Sequence, residues 1–113
     1  MSETVREIEM SMEAAKAKIE KLEVLNRLRE NPDFKAFILD DFMGKERMED
    51  FLTKQMSPSF QDPANKLYVD NQLNAIGSLK LFMLYAEREA NIAKQALYEA
   101  EDERNRALEE AGV

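Results

Sequence analysis

Histidine, cysteine and tryptophan are missing from the 113 residues, and glycine and proline occur only three times each. The first two absences remove whole classes of chemistry. Without them there is no Ser-His or Cys-His nucleophile pair, no thiolate or imidazole metal ligand, no haem ligation through either residue and no disulfide. Long apolar runs are also missing: the longest, residues 81–86, spans six positions, against the ~20 that cross a bilayer. Positive charge is in short supply, with 16 Lys and Arg against 23 Asp and Glu for a net charge of -7. A phosphate backbone needs a basic face, so direct nucleic-acid binding is not expected. The first residues carry Glu3, Glu7 and Glu9 where a secretory leader has a basic stretch and then an apolar one. The expectation is a soluble, intracellular chain that is not an enzyme and uses no cofactor and no metal.

What remains is helical material. Apolar residues make up 44% and charged residues 35%, and with so few helix breakers the balance favours long helices. Val5, Ile8, Met12, Ala15, Ile19 and Leu22 follow an unbroken three-four spacing, the seam of a coiled coil. Thr4 with Glu7 offers a capping box, with Ser2 as the alternative cap. Past Leu22 the apolar positions shift to Leu25 and Leu28, which predicts a change of packing partner. Asn31-Pro32 ends this helix and starts the next, with Asn31 as N-cap and Pro32 at the first helical position.

Two short helices are expected between residues 32 and 56. In the first, Phe34, Phe37, Ile38 and Phe42 form the apolar face and Gly44 acts as the left-handed stop. In the second, residues 45–55, Met48, Phe51 and Leu52 point inward. A proline- and serine-bearing loop follows. Asp62 and Pro63 then open the longest helix. Its seam runs Ile76, Leu79, Met83, Ala86, Ala90, Ala93, Leu97, Ala100, Arg104, Ala107 and Ala111, with Arg104 the only charged member.

The predicted fold is all-α, a single domain over 1–113. An antiparallel, coiled-coil-like two-helix stalk pairs the first long helix (4–30) with the far half of the last (62–111). A small helical head occupies 32–56. Bulky Ile8, Met12, Ile19 and Leu22 face small Ala86, Ala90, Ala93, Ala100 and Ala107, which permits a close approach.

Two acidic groups invite a functional reading. Asp40, Asp41, Glu46, Glu49 and Asp50 surround Gly44, but their spacing fits neither a calcium loop nor a Glu-x-x-His di-iron site. A solvated face explains them. The acidic end of the last helix (Glu99, Glu101, Asp102, Glu103, Glu109, Glu110) could imitate a phosphate line, although Arg104 and Arg106 interrupt it. A second apolar stripe off the main seam is more informative. Met10 and Val24 on the first helix, and Phe82, Tyr85, Ile92 and Ala96 on the last, are the candidate protein-interaction residues. They imply a homo-oligomer or docking on a larger protein.

The central motifs also carry a resemblance. Leu28-Arg29-Glu30-Asn31-Pro32-Asp33-Phe34, Asp40-Asp41-Phe42 and Leu73-Asn74-Ala75-Ile76-Gly77-Ser78-Leu79 resemble a group of small helical proteins of podovirus-type tailed bacteriophages, over residues 25–82. The resemblance implies a role in head or connector assembly, in the host cytoplasm or the virion, with a virion protein as partner. It brings no catalytic residues. The alternative expectation is an acidic inhibitory module that occupies a host protein as a DNA mimic or regulator.

Overall fold

The computed structural model describes residues 3–112. The elements are all helical: α1 (Glu3–Glu30), α2 (Pro32–Phe34) continuing as a π-helix (Lys35–Phe42), α3 (Lys45–Met56), a 3₁₀ turn (Pro58–Phe60) and α4 (Pro63–Glu110). No strand occurs among the described residues. Thr4 lies inside α1, so the capping box expected of it is not made, and Ser2 lies outside the described residues. The Asn31 boundary forms as the dipeptide predicts. Its backbone is extended, and its Oδ1 accepts hydrogen bonds from the Asp33 and Phe34 amides at 2.9 and 3.1 Å. Asp62 does the same for α4 through the amides of Ala64 and Asn65.

The chain forms two compact units. One combines α1 up to Leu25 with α4 from Leu84; the other runs from Asn26 to Met83. The first unit buries Val5, Ile8, Met12, Ala15 and Leu25 from α1, with Ala86, Ala90 and Ala93 from α4. Ile19, Leu22, Leu97, Ala100, Arg104 and Ala107 are half-buried, and Ala111 is exposed. To this unit α1 contributes mostly large buried side chains, and α4 contributes alanines. Ala90 has no exposed surface at all. Ala90→Leu adds three heavy atoms to a filled site, and overpacking of this kind costs about 2 kcal/mol. A urea melt should show the loss, with no change in helix content at low denaturant.

The second unit buries Met43, Phe51, Val69, Ile76 and Met83. The α4 seam therefore begins at Val69, seven residues before Ile76, and not at Ile76. Polar Gln72 fills the intervening position and hides the repeat from an apolar count. Leu28 and Leu52, expected inward, are exposed.

The first short helix departs most from expectation. It is wound mainly as a π-helix, with the Met43 amide donating to the Ile38 carbonyl at 2.8 Å, five residues back. Such winding takes about 4.4 residues per turn. Phe34, Ile38, Leu39 and Phe42 then share the half-buried side, and Phe37, counted inward on α-helical spacing, turns out to 72% exposure. The Lys35–Asp40 ion pair, at 2.9 Å and five residues apart, fits the same winding.

Gly44 is not the left-handed stop. Its φ of -70° and ψ of 158° are ordinary extended values, and it is the N-cap of α3. Glycine is needed there for room: a Cβ would overlap the Asp40 carbonyl oxygen. Gly77 is the converse. A Cβ on it would meet nothing within 4 Å. Inside an uninterrupted helix, Gly77→Ala should raise stability by about 0.5–1 kcal/mol, read as a higher denaturation midpoint.

Candidate interaction surfaces

The first unit offers helix rows for contact. All five large candidate residues of the second stripe are exposed, with Met10 and Ile92 the most so at 65% and 64%; Ala96 is exposed too. The structure does not gather the six into one surface. Tyr85, Ile92 and Ala96 stand seven and four residues apart on α4 and form one row. Phe82 belongs to the other unit. Met10 borders a hollow with Arg6, Glu9, Glu13, Lys16 and Arg104, on a charged side.

Two flanks of the first unit are distinguished by their side chains. A hollow lined by Thr4, Ile8, Glu99, Glu103, Arg106 and Ala107 places the α1 row containing Thr4 beside the α4 row containing Glu99. Helical spacing extends these rows to Glu7, Ser11, Ala14, Lys18 and Lys21 on α1, and to Tyr85, Glu89, Ile92 and Ala96 on α4. The opposite flank differs. There α1 presents Arg6, Glu9, Glu13, Lys16, Glu20, Glu23 and Arg27, every one charged and exposed. The α4 row on that flank carries Leu84 and Tyr98, the latter 74% exposed. Tyr98 escaped the sequence reading because it lies off both apolar stripes.

Arg104, the charged member of the α4 seam, keeps its side chain half-buried, and its Nε has no hydrogen-bond partner. Arg104 lines the charged hollow together with Glu9 and Glu13, and an arginine's aliphatic stem can cover apolar surface at such a position.

The second unit is organised around Arg47, which sequence reasoning passed over. Its guanidinium donates to the Phe42 carbonyl at 3.0 Å and to Gln72 Oε1 at 2.6 Å. It also lies 4.6 Å from the Phe42 ring centroid and 4.9 Å from that of Phe51. One side chain thus ties the end of the π-helix to α3 and α4 through hydrogen bonds and cation–π contacts. Phe51 meets the Tyr68 ring edge-on at 6.1 Å, and Gln55 donates to Asp70 at 3.2 Å. The available signal was an arginine four residues before a core phenylalanine and five after another.

The acidic cluster near Gly44 is dispersed in ion pairs. Asp40 pairs with Lys35, Glu49 with Lys45 and Asp50 with Lys54, all at the surface. Among the described residues no group of three or more acidic side chains is placed to hold a metal ion, and no helix is long and apolar enough to cross a membrane. On the acidic end of α4, Asp102 pairs with Arg106 at 3.2 Å and Glu99 accepts from Gln95. No protein-family model, curated protein or solved structure matches the chain.

Proposed function

We propose that this chain is a non-enzymatic structural or assembly protein that acts through helix–helix contacts. In this reading the first unit is an antiparallel two-helix stalk of coiled-coil type, and the second is a small helical head. Burial of large residues on α1 against alanines on α4 supports the stalk. So do the hollows that set Thr4 and Ile8 near Ala107 and Met12 near Arg104, as antiparallel pairing requires.

The observation that carries the functional reading is the distribution of large apolar side chains. Among the described residues fourteen are exposed, against nine buried ones larger than alanine. Single exposed apolar residues are unremarkable in any protein; the reading takes this many of them, beside so small a buried core, as surface for a partner. The central resemblance to podovirus-type helical proteins extends the proposal to head or connector assembly, with a virion protein as partner.

Co-purification of the tagged chain from infected cells tests the reading. Recovery of portal or capsid protein supports it. Recovery of a host polymerase or nuclease, lost on neutralising Glu99, Glu101 and Glu103, replaces it with the acidic inhibitory module.

A further inference from the structure

We propose that the uncharged face of α4 in the second unit, from Leu67 to Phe82, is covered by the same face of a second copy of the chain. The two helices cross antiparallel about a twofold axis between Asn74 and Ala75. The inference rests on the helix–helix contact reading and names the partner of one surface.

Charge marks the face. Over residues 63–83, α4 carries Lys66, Asp70 and Lys80 as its only charged residues, in a chain that is 35% charged. Asp70 accepts a hydrogen bond from Gln55 and Lys80 reaches the Met48 sulfur, so both are turned toward α3. Helical spacing puts Lys66 on their side, and Asp70 marks the edge. The remaining side of α4 exposes Leu67, Tyr68, Leu81 and Phe82, the least of them at 48%. Between these pairs lie Asn71, Asn74, Ala75 and Ser78, all exposed. Asn and Ser are poorer helix formers than Ala, Glu or Lys, so the helix's own stability does not account for them. They supply small size with a donor and an acceptor each.

The order of the residues selects a second copy over an unrelated helix. Reversing the face about the point between Asn74 and Ala75 exchanges Leu67 with Phe82 and Tyr68 with Leu81. It also exchanges Asn71 with Ser78 and Asn74 with Ala75. Every exchange is large for large or small for small. A twofold axis at this point sets each residue against its exchange partner on the other copy, as an isologous interface requires.

Small residues then meet at the crossing, where the axes come within about 8 Å. Large ones close the two ends, where crossed helices diverge. The Asn71 amide faces the Ser78 hydroxyl twice, which gives each a hydrogen-bond partner on burial. Each copy carries a net charge of -7, and an uncharged contact face keeps like charges out of the interface.

Each copy offers eight such residues, fewer than the ~20–30 a side of a standard interface, so a weak dimer is expected, with a dissociation constant near ~100 µM. Sedimentation equilibrium of the full chain up to ~1 mM tests it, with circular dichroism to report folding. Wild type should approach twice the monomer mass. Ala75→Glu, exposed at the crossing, should keep its helix content and weaken the dimer at least about tenfold by setting like charges together. Asn91→Glu, exposed in the first unit, adds the same charge elsewhere and should leave the dimer unchanged.

The chain has no cysteine, so an Asn71→Cys variant mixed with a Ser78→Cys variant reads the register. Mild oxidation should link the two variants to each other in preference to either with itself. The proposal is overturned by a monomeric wild type, by a dimer that Asn91→Glu dissociates and Ala75→Glu does not, or by an excess of self-linked products. A monomer that still recovers portal or capsid protein would remove the dimer and keep the assembly reading.

Discussion

Replacing Gly44 by alanine should cost about 3 kcal/mol, the largest effect expected of any single methyl group in this protein. The added Cβ would overlap the carbonyl oxygen of Asp40 and crowd that of Asp41. Both are backbone atoms of the π-helix, so no rotamer change relieves the contact. The φ of -70° at Gly44 is open to any residue, so the cost is steric and not conformational. Relief requires the π-helix to rewind or α3 to move away, and each path breaks packing around Met43, which is buried immediately before the glycine. A urea or thermal melt followed by circular dichroism measures the loss. A Gly44→Ala variant as stable as wild type would show that the segment 35–42 is not held in π winding.

Arg47→Ala should cost nearly as much, about 2–3 kcal/mol, from two charge-assisted hydrogen bonds and two ring contacts made by a half-buried guanidinium. The Phe42 carbonyl and Gln72 Oε1 lose their donor together. Arg47→Lys should recover only part of the loss, because an ammonium cannot serve two acceptors in the plane of a fork while lying between the Phe42 and Phe51 rings. Hydrogen exchange at the Met43 amide, which bonds to Ile38 at the end of the π-helix, should accelerate in both variants and more in the alanine. Equal stability of the lysine variant and wild type would reduce Arg47 to a positive charge near two rings.

These two residues mark where sequence reasoning stopped short. Gly44 was visible as a break between helices, and its position between Met43 and Lys45 was read correctly as a boundary. Its role was not, because a glycine that caps one helix by left-handed geometry and a glycine that makes room for a carbonyl look the same in one dimension. Arg47 was invisible because its partners lie 5 residues before it and 25 after it. The candidate surface was legible to the same degree. Each of Met10, Val24, Phe82, Tyr85, Ile92 and Ala96 is exposed, but whether they share a face depends on how α1 and α4 are rotated about their own axes.

Local signals determined the helix boundaries and the seam. The Asn31-Pro32 and Asp62-Pro63 caps need only their own next few amides. The burial of Val5, Ile8, Met12 and Ala15, and of Met83, Ala86, Ala90 and Ala93, follows from a repeat that keeps apolar side chains on one side of a helix. Tertiary structure alone decided the π winding of residues 35–42, the outward turn of Phe37 and the extension of the α4 seam back to Val69 through a polar Gln72. The physical reason is common to all three. Helical periodicity reports which side chains share a face at about 3.6 residues per turn. A change of winding, or a polar residue satisfied by a distant arginine, alters that register through contacts that no local pattern carries.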